Sequence, residues 1–145
     1  PDVLEARRKA GELGKGARER YAKNVKAILQ VGEARTASYA TVFGHPAELV
    51  PLQNPYEVRA GGNVRVRALV DGKPAANQTV LAGGVGTDGS RIAETATRTD
   101  ADGVAMVSLT RAGAWYVKFI HMTRVTDDPK LDYRSKWATL TFGVR

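Results

Sequence analysis

The chain has two histidines, His45 and His121, and no cysteine, so any soft-ligand or proton-transfer chemistry begins with these imidazoles. Neutral imidazole is a borderline ligand suited to nickel, cobalt, copper and zinc. His45 stands in Phe43-Gly44-His45-Pro46 and His121 in Phe119-Ile120-His121-Met122-Thr123, each at the end of a predicted strand. Brought together on one rim, they would supply half a metal site, with Asp127, Asp128 or Asp132 as oxygen donors. The alternative is that each ring only hydrogen-bonds locally, and separation along the chain does not decide between the two.

Other catalytic patterns lack a required member. Nucleophilic catalysis needs a hydroxyl beside an oriented base, yet none of Ser38, Ser90, Ser108 and Ser135 lies in a Gly-x-Ser-x-Gly elbow. Most carboxylates fall in turns or on alternating polar faces. The stretch Gly83-Gly84-Val85-Gly86-Thr87-Asp88-Gly89 lacks the Lys-Ser/Thr of a phosphate loop and no helix follows it, so a flexible loop between strands is expected. Asp100-Ala101-Asp102-Gly103 opens like a calcium loop, but Leu109 stands where the closing glutamate should be. A tight turn is expected there instead, with Asp100 capping its own backbone and Gly103 at positive φ. Trp115, Tyr116, Tyr133 and Trp137 could form a stacking platform for a sugar or base, but their places in or beside strands favour core packing. The expectation is that the chain is not an enzyme.

The elements that would position these residues are mostly strands. Fifteen glycines and six prolines in 145 residues point to many turns. Asn63–Val70 alternates most clearly, with Val64, Val66, Ala68 and Val70 on one side and Arg65 and Arg67 on the other. Asp71-Gly72 after it signals a hairpin. Further strands are predicted over 39–43, 48–52, 79–83, 92–99, 104–109, 115–122 and 137–144. Seven or eight short strands with no intervening helix predict an antiparallel β-sandwich over residues 36–145.

Residues 1–35 read differently, as a helical arm or linker. Asp2 can cap a first helix carrying Val3, Ala6, Ala10 and Leu13, which Gly11, Gly14 and Gly16 then weaken. A second helix is predicted from the stripe Tyr21, Val25, Ile28 and Leu29, closing at Gly32. That stripe must pack on the body, on a partner, or on a missing part of the same protein.

The net charge is +7; residues 1–35 hold nine Lys/Arg against five Asp/Glu. These basic residues alternate with Glu5, Glu12, Glu19 and Glu33, which describes a solvated face and argues against nucleic acid as a partner. No apolar run has the length of a membrane span, and the chain opens on Pro1-Asp2 without an apolar signal core. A soluble fragment or mature form, with no direct membrane insertion, is expected.

Several segments together carry a resemblance: Val3-Leu4-Glu5-Ala6-Arg7-Arg8, Arg18-Glu19-Arg20-Tyr21, Gly44-His45-Pro46-Ala47-Glu48-Leu49, Asn54-Pro55-Tyr56, Asp71-Gly72-Lys73-Pro74, Thr99 to Gly103, His121-Met122 and Trp137-Ala138-Thr139-Leu140. In this order they resemble the C-terminal part of the NikM-like periplasmic family, which is associated with nickel and cobalt uptake. The resemblance implies an Ig-like or prealbumin-like sandwich in an exported, periplasmic, non-catalytic accessory protein. It implies a nickel or cobalt ion as cofactor, with His45 and His121 as the matching positions whose chemistry suits the metal. A transporter component or a neighbouring domain of the same protein is the implied partner. Family members open with a signal peptide and a first β-domain beginning His-Asp-Phe-Trp, and neither is found in this sequence. Two other readings stand beside this one: a structural protein-interaction module without metal, and a carbohydrate-binding sandwich.

Overall fold

The computed structural model describes residues 3–145 and folds them into two facing sheets after one short helix. Helix α1 (Val3–Lys9) ends where the glycines begin. Gly11 takes φ +66°, its N–H bonds the Arg8 carbonyl, and Glu12 N–H reaches back to the Arg7 carbonyl at 2.8 Å. This is the paired closure that a left-handed residue after a helix allows. The cap expected at Asp2 lies outside the described residues.

The second expected helix is instead a strand, β1 (Glu19–Ala27). It runs parallel to the last strand, β9 (Tyr133–Val144), with Tyr21 opposite Ser135 and Lys23 opposite Trp137. Tyr21 and Val25 are four residues apart, an even spacing that puts them on one face of a helix and equally on one face of a strand. What decides is the partner: β9 offers a row of open backbone groups that local sequence does not reveal. The strand expected at 39–43 is also absent; a 3-10 turn at Ala37–Ala40 leads into an irregular segment.

The remaining strands fall close to their expected places: β2 (Ala47–Pro51), β3 (Asn63–Val70), β4 (Lys73–Pro74), β5 (Thr79–Gly86), β6 (Arg91–Arg98), β7 (Val104–Ser108) and β8 (Gly113–Arg124). Five strands form one sheet in the order β1-β9-β8-β5-β6; in the other, β3 pairs with β2, β4 and β7. The body is thus a mostly β sandwich as expected, antiparallel except for the β1–β9 edge, with nine strands among the described residues.

The core lies between the sheets. Val64, Val66 and Ala68 of β3 meet Val117 and Phe119 of β8 and Leu140 and Phe142 of β9. The Asp71-Gly72 hairpin forms as its sequence implies, with both residues at positive φ. Residues 83–86, expected in a flexible loop, are the end of β5. Gly84 lies so close under β8 that a Cβ would stand 2.1 Å from the Ala114 carbonyl oxygen, so only glycine fits this central strand.

Candidate functional site

A chain of contacts runs from Pro46, next to His45, to Lys136, opposite His121, along one rim of the sandwich. His45 precedes the start of β2, where the Pro46 carbonyl accepts the Asp71 N–H at 3.1 Å. The Asp71 carboxylate in turn binds the Lys136 ammonium, and Lys136 lies directly opposite His121 across the β8–β9 ladder. His45, Asp71, Lys136 and His121, from four separate parts of the sequence, thus lie along one rim, but the contacts link them only in succession and do not bring the two imidazoles together.

The state of His121 follows from its neighbour Gln78. The Gln78 amide nitrogen faces the Thr79 and Ile120 carbonyls at 3.2 and 3.0 Å, so its oxygen must face His121 Nδ1 at 3.1 Å. Nδ1 is then the protonated nitrogen and Nε2 carries the free lone pair. Burial pushes the His121 pKa below the ordinary histidine value and the Lys136 ammonium pushes the same way, against the opposing pull of Asp71. The ring is neutral at pH 7, the form a metal requires, but a cation already stands beside it. His45 is half-buried, with its ring centroid 5.8 Å from that of Phe43.

The oxygen donors expected to complete a site are otherwise engaged. Asp132 accepts the Arg18 N–H and both prongs of its guanidinium, at 2.8, 3.2 and 3.1 Å, which holds its pKa at about 2. Asp127 binds Arg134 at 2.8 Å, and Asp128 accepts the Lys130 N–H at 2.9 Å. Among the described residues, no group of three or more metal-ligating side chains comes together. Asp100 behaves as its turn requires: Oδ1 accepts the Asp102 and Val104 N–H groups at 2.9 and 2.8 Å, and Gly103 sits at φ +72°.

A different surface sets the exposed Tyr21 against the half-buried Trp137. On β1 the side chains of Tyr21, Lys23 and Val25 point outward, away from the core, as does Trp137 on β9. The Tyr21 and Trp137 rings are 6.1 Å apart at 45°, and the Lys23 ammonium lies 5.1 and 4.7 Å from their centroids. Tyr21 is 59% exposed and Val25 67% exposed. Trp137 is pinned by its indole N–H, which donates to Ser135 Oγ at 2.8 Å, while Ser135 bonds Glu19 of β1. Of the four aromatic residues weighed in the sequence, Trp115 and Tyr133 are buried. Tyr116 is half-buried and donates its hydroxyl to Glu94 at 2.9 Å. Tyr21 and Lys23 were missed because their segment reads as a helix; alternation along 19–27 is too weak to signal a strand.

The family model described as a domain of unknown function, DUF4198, matches residues 3–123. The chain belongs to this family. No curated protein matches it. The match spans α1 and β1 to β8, so the family pattern includes the segment that forms the outward strip on β1 and both rim histidines. DUF4198 as a description carries no activity, and a non-catalytic role is compatible with it.

Proposed function

We propose that this DUF4198 domain is an exported, non-catalytic accessory module that docks to another protein through the outer face of β1 and β9. The observation that carries this reading is the Tyr21–Trp137 pair with Lys23 across it and Val25 alongside, in which Tyr21 and Val25 are left open to solvent and Trp137 is half-buried. Tyrosine and tryptophan anchors are what protein interfaces concentrate, because they contribute large contact area for few rotatable bonds. A lysine poised above them and a net charge of +7 favour an acidic partner surface. The resemblance to NikM-like proteins supports export and suggests a neighbouring domain or a transporter component as that partner.

The test is site-specific photocrosslinking in the native cell, with a photoreactive phenylalanine analogue at position 21. Position 106 is the control, since Met106 is exposed on the opposite sheet. A discrete crosslinked protein at position 21 alone supports the reading. Equal crosslinking at both positions, or none at either, overturns it.

A second reading is a weak nickel or cobalt site, suggested by the family resemblance and by the free Nε2 lone pair of the neutral His121. Lys136 would have to leave Asp71 for a cation to enter. Calorimetric titration of Ni²⁺ or Co²⁺ into the wild type and the His45→Ala/His121→Ala variant tests it. Equal heats would remove both histidines from any site.

A further inference from the structure

We infer that the groove between the β3–β4 hairpin and the ends of β5 and β8 is a binding site for a small aliphatic anion, a long-chain carboxylate in chemical class. The groove holds about 700 Å³, within the roughly 300–1,000 Å³ typical of ligand pockets. Its walls combine two kinds of surface. Leu4 of α1, Leu81 of β5, and Ile120 and Met122 of β8 give it an apolar body, with Val70 at its back. Lys73, Arg98 and Lys118 supply cations, and no carboxylate is among the described residues that line it.

The state of those cations sets the polarity of the ligand. Lys118 is satisfied by Glu94 at 2.6 Å. Lys73 makes no ion pair among the described residues. Arg98 gives one nitrogen to the Asn77 carbonyl at 2.9 Å and to its side-chain oxygen at 3.3 Å, both neutral acceptors. Among the described residues, two full positive charges thus face the groove without a counter-charge. A carboxylate on an alkyl chain satisfies both halves at once, its head bonding Arg98 and Lys73 and its chain covering Leu81, Ile120 and Met122. A neutral chain would leave the cations unpaired, and a cationic one would be repelled. This site is separate from the Tyr21–Trp137 strip and does not depend on the docking role.

Dodecanoate below its micellar concentration is the probe, titrated calorimetrically into the protein, with dodecyltrimethylammonium and dodecanol as controls. Saturable binding of one dodecanoate, at least tenfold tighter than either control, is expected. Lys73→Glu/Arg98→Glu, at two exposed positions that should not disturb folding, is expected to weaken it at least tenfold. Leu81→Asp is expected to weaken dodecanoate without raising the affinity for the ammonium. Comparable binding of the cationic chain, or charge-reversed protein that binds dodecanoate unchanged, overturns the proposal. Sedimentation with phosphatidylglycerol vesicles separates the sources: binding to vesicles without binding to free dodecanoate would assign the charge to a membrane surface and overturn the groove.

Discussion

The Lys26 ammonium donates to the Glu48 carboxylate at 2.8 Å with the two side chains only 8% and 1% exposed. Lys26 belongs to β1 and Glu48 to β2, so this pair joins the five-stranded sheet to the other across the edge of the sandwich. Both charged groups make further hydrogen bonds. Lys26 donates to the Thr41 carbonyl at 2.8 Å, and Glu48 accepts the Phe43 and Gly44 N–H groups at 2.8 and 3.1 Å. The irregular 41–44 segment is thereby folded over the pair, with the Phe43 ring 5.0 Å from the ammonium.

Breaking a buried pair from one side leaves a charge with neither water nor counter-ion, which costs roughly 3–5 kcal/mol, whereas removing both charges costs far less. Lys26→Met alone should therefore destabilise by about that amount. Lys26→Met/Glu48→Gln should recover part of the loss, because the glutamine oxygen can still accept a loop N–H. Urea unfolding of the two single variants and the double variant gives the coupling energy. A value near zero would mean that the two side chains act independently.

Acid should act on this fold in two stages. The His121 pKa is lowered in the folded state, so the unfolded chain takes up that proton first. Its contribution is complete above the ordinary histidine value near 6.5 and is lost as pH falls through that value towards the lower folded one. Burial alone would raise the Glu48 pKa, but the Lys26 hydrogen bond and the Phe43 and Gly44 N–H groups outweigh it and lower it. Its contribution is present above the unfolded value of 4.5 and fades below it. Asp88 and Asp132, both at about 2, extend the decline further. Urea midpoints measured from pH 8 to pH 3 should fall first near pH 6 and then more steeply below pH 5. In His121→Asn the first step should disappear and the second remain.

The strands that alternate were legible because alternation is a local signal: β3 reads from Val64, Val66 and Ala68, and its hairpin from Asp71-Gly72. The edge strand was not legible, because the same Tyr21–Val25 spacing satisfies both periods and the choice rests on β9, more than a hundred residues further on. The aromatic surface was hidden for the same reason, since Trp137 was in view and its neighbours on β1 were not. The rim histidines were visible as residue types. Their relation through Pro46, Asp71 and Lys136 depends on two turns and a ladder register, which no local pattern encodes.

Gly84 and Gly89 should respond differently to the same substitution. At Gly84 a methyl group would collide with the Ala114 carbonyl in the middle of the sheet, whereas at Gly89 it meets open space and only the backbone, at φ +78°, objects. A left-handed non-glycine residue costs roughly 1–2 kcal/mol. Separating β5 from β8 loses ladder bonds as well as packing, so Gly84→Ala should cost more, roughly 3 kcal/mol by the scale of overpacking. Thermal midpoints of the two variants would decide; a Gly84→Ala protein as stable as Gly89→Ala would mean that β5 can move away from β8 without loss.

The turn at residues 100–103 gives a prediction that separates structure from metal binding. One Asp100 oxygen already accepts two backbone N–H groups, and Gly103 packs its Cα where a Cβ would lie 2.8 Å from the Ala68 carbonyl oxygen. Asp100→Ala removes the acceptor of both bonds and should destabilise by about 1–2 kcal/mol, while Asp100→Asn keeps the oxygen and should cost less than half of that. Because the oxygen works for the backbone and the closing acid is replaced by Leu109, millimolar calcium should leave the melting temperature of all three proteins unchanged. A calcium-dependent rise in the wild type that Asp100→Asn abolishes would make the turn a cation loop, and the sandwich would then have to be read as calcium-tuned.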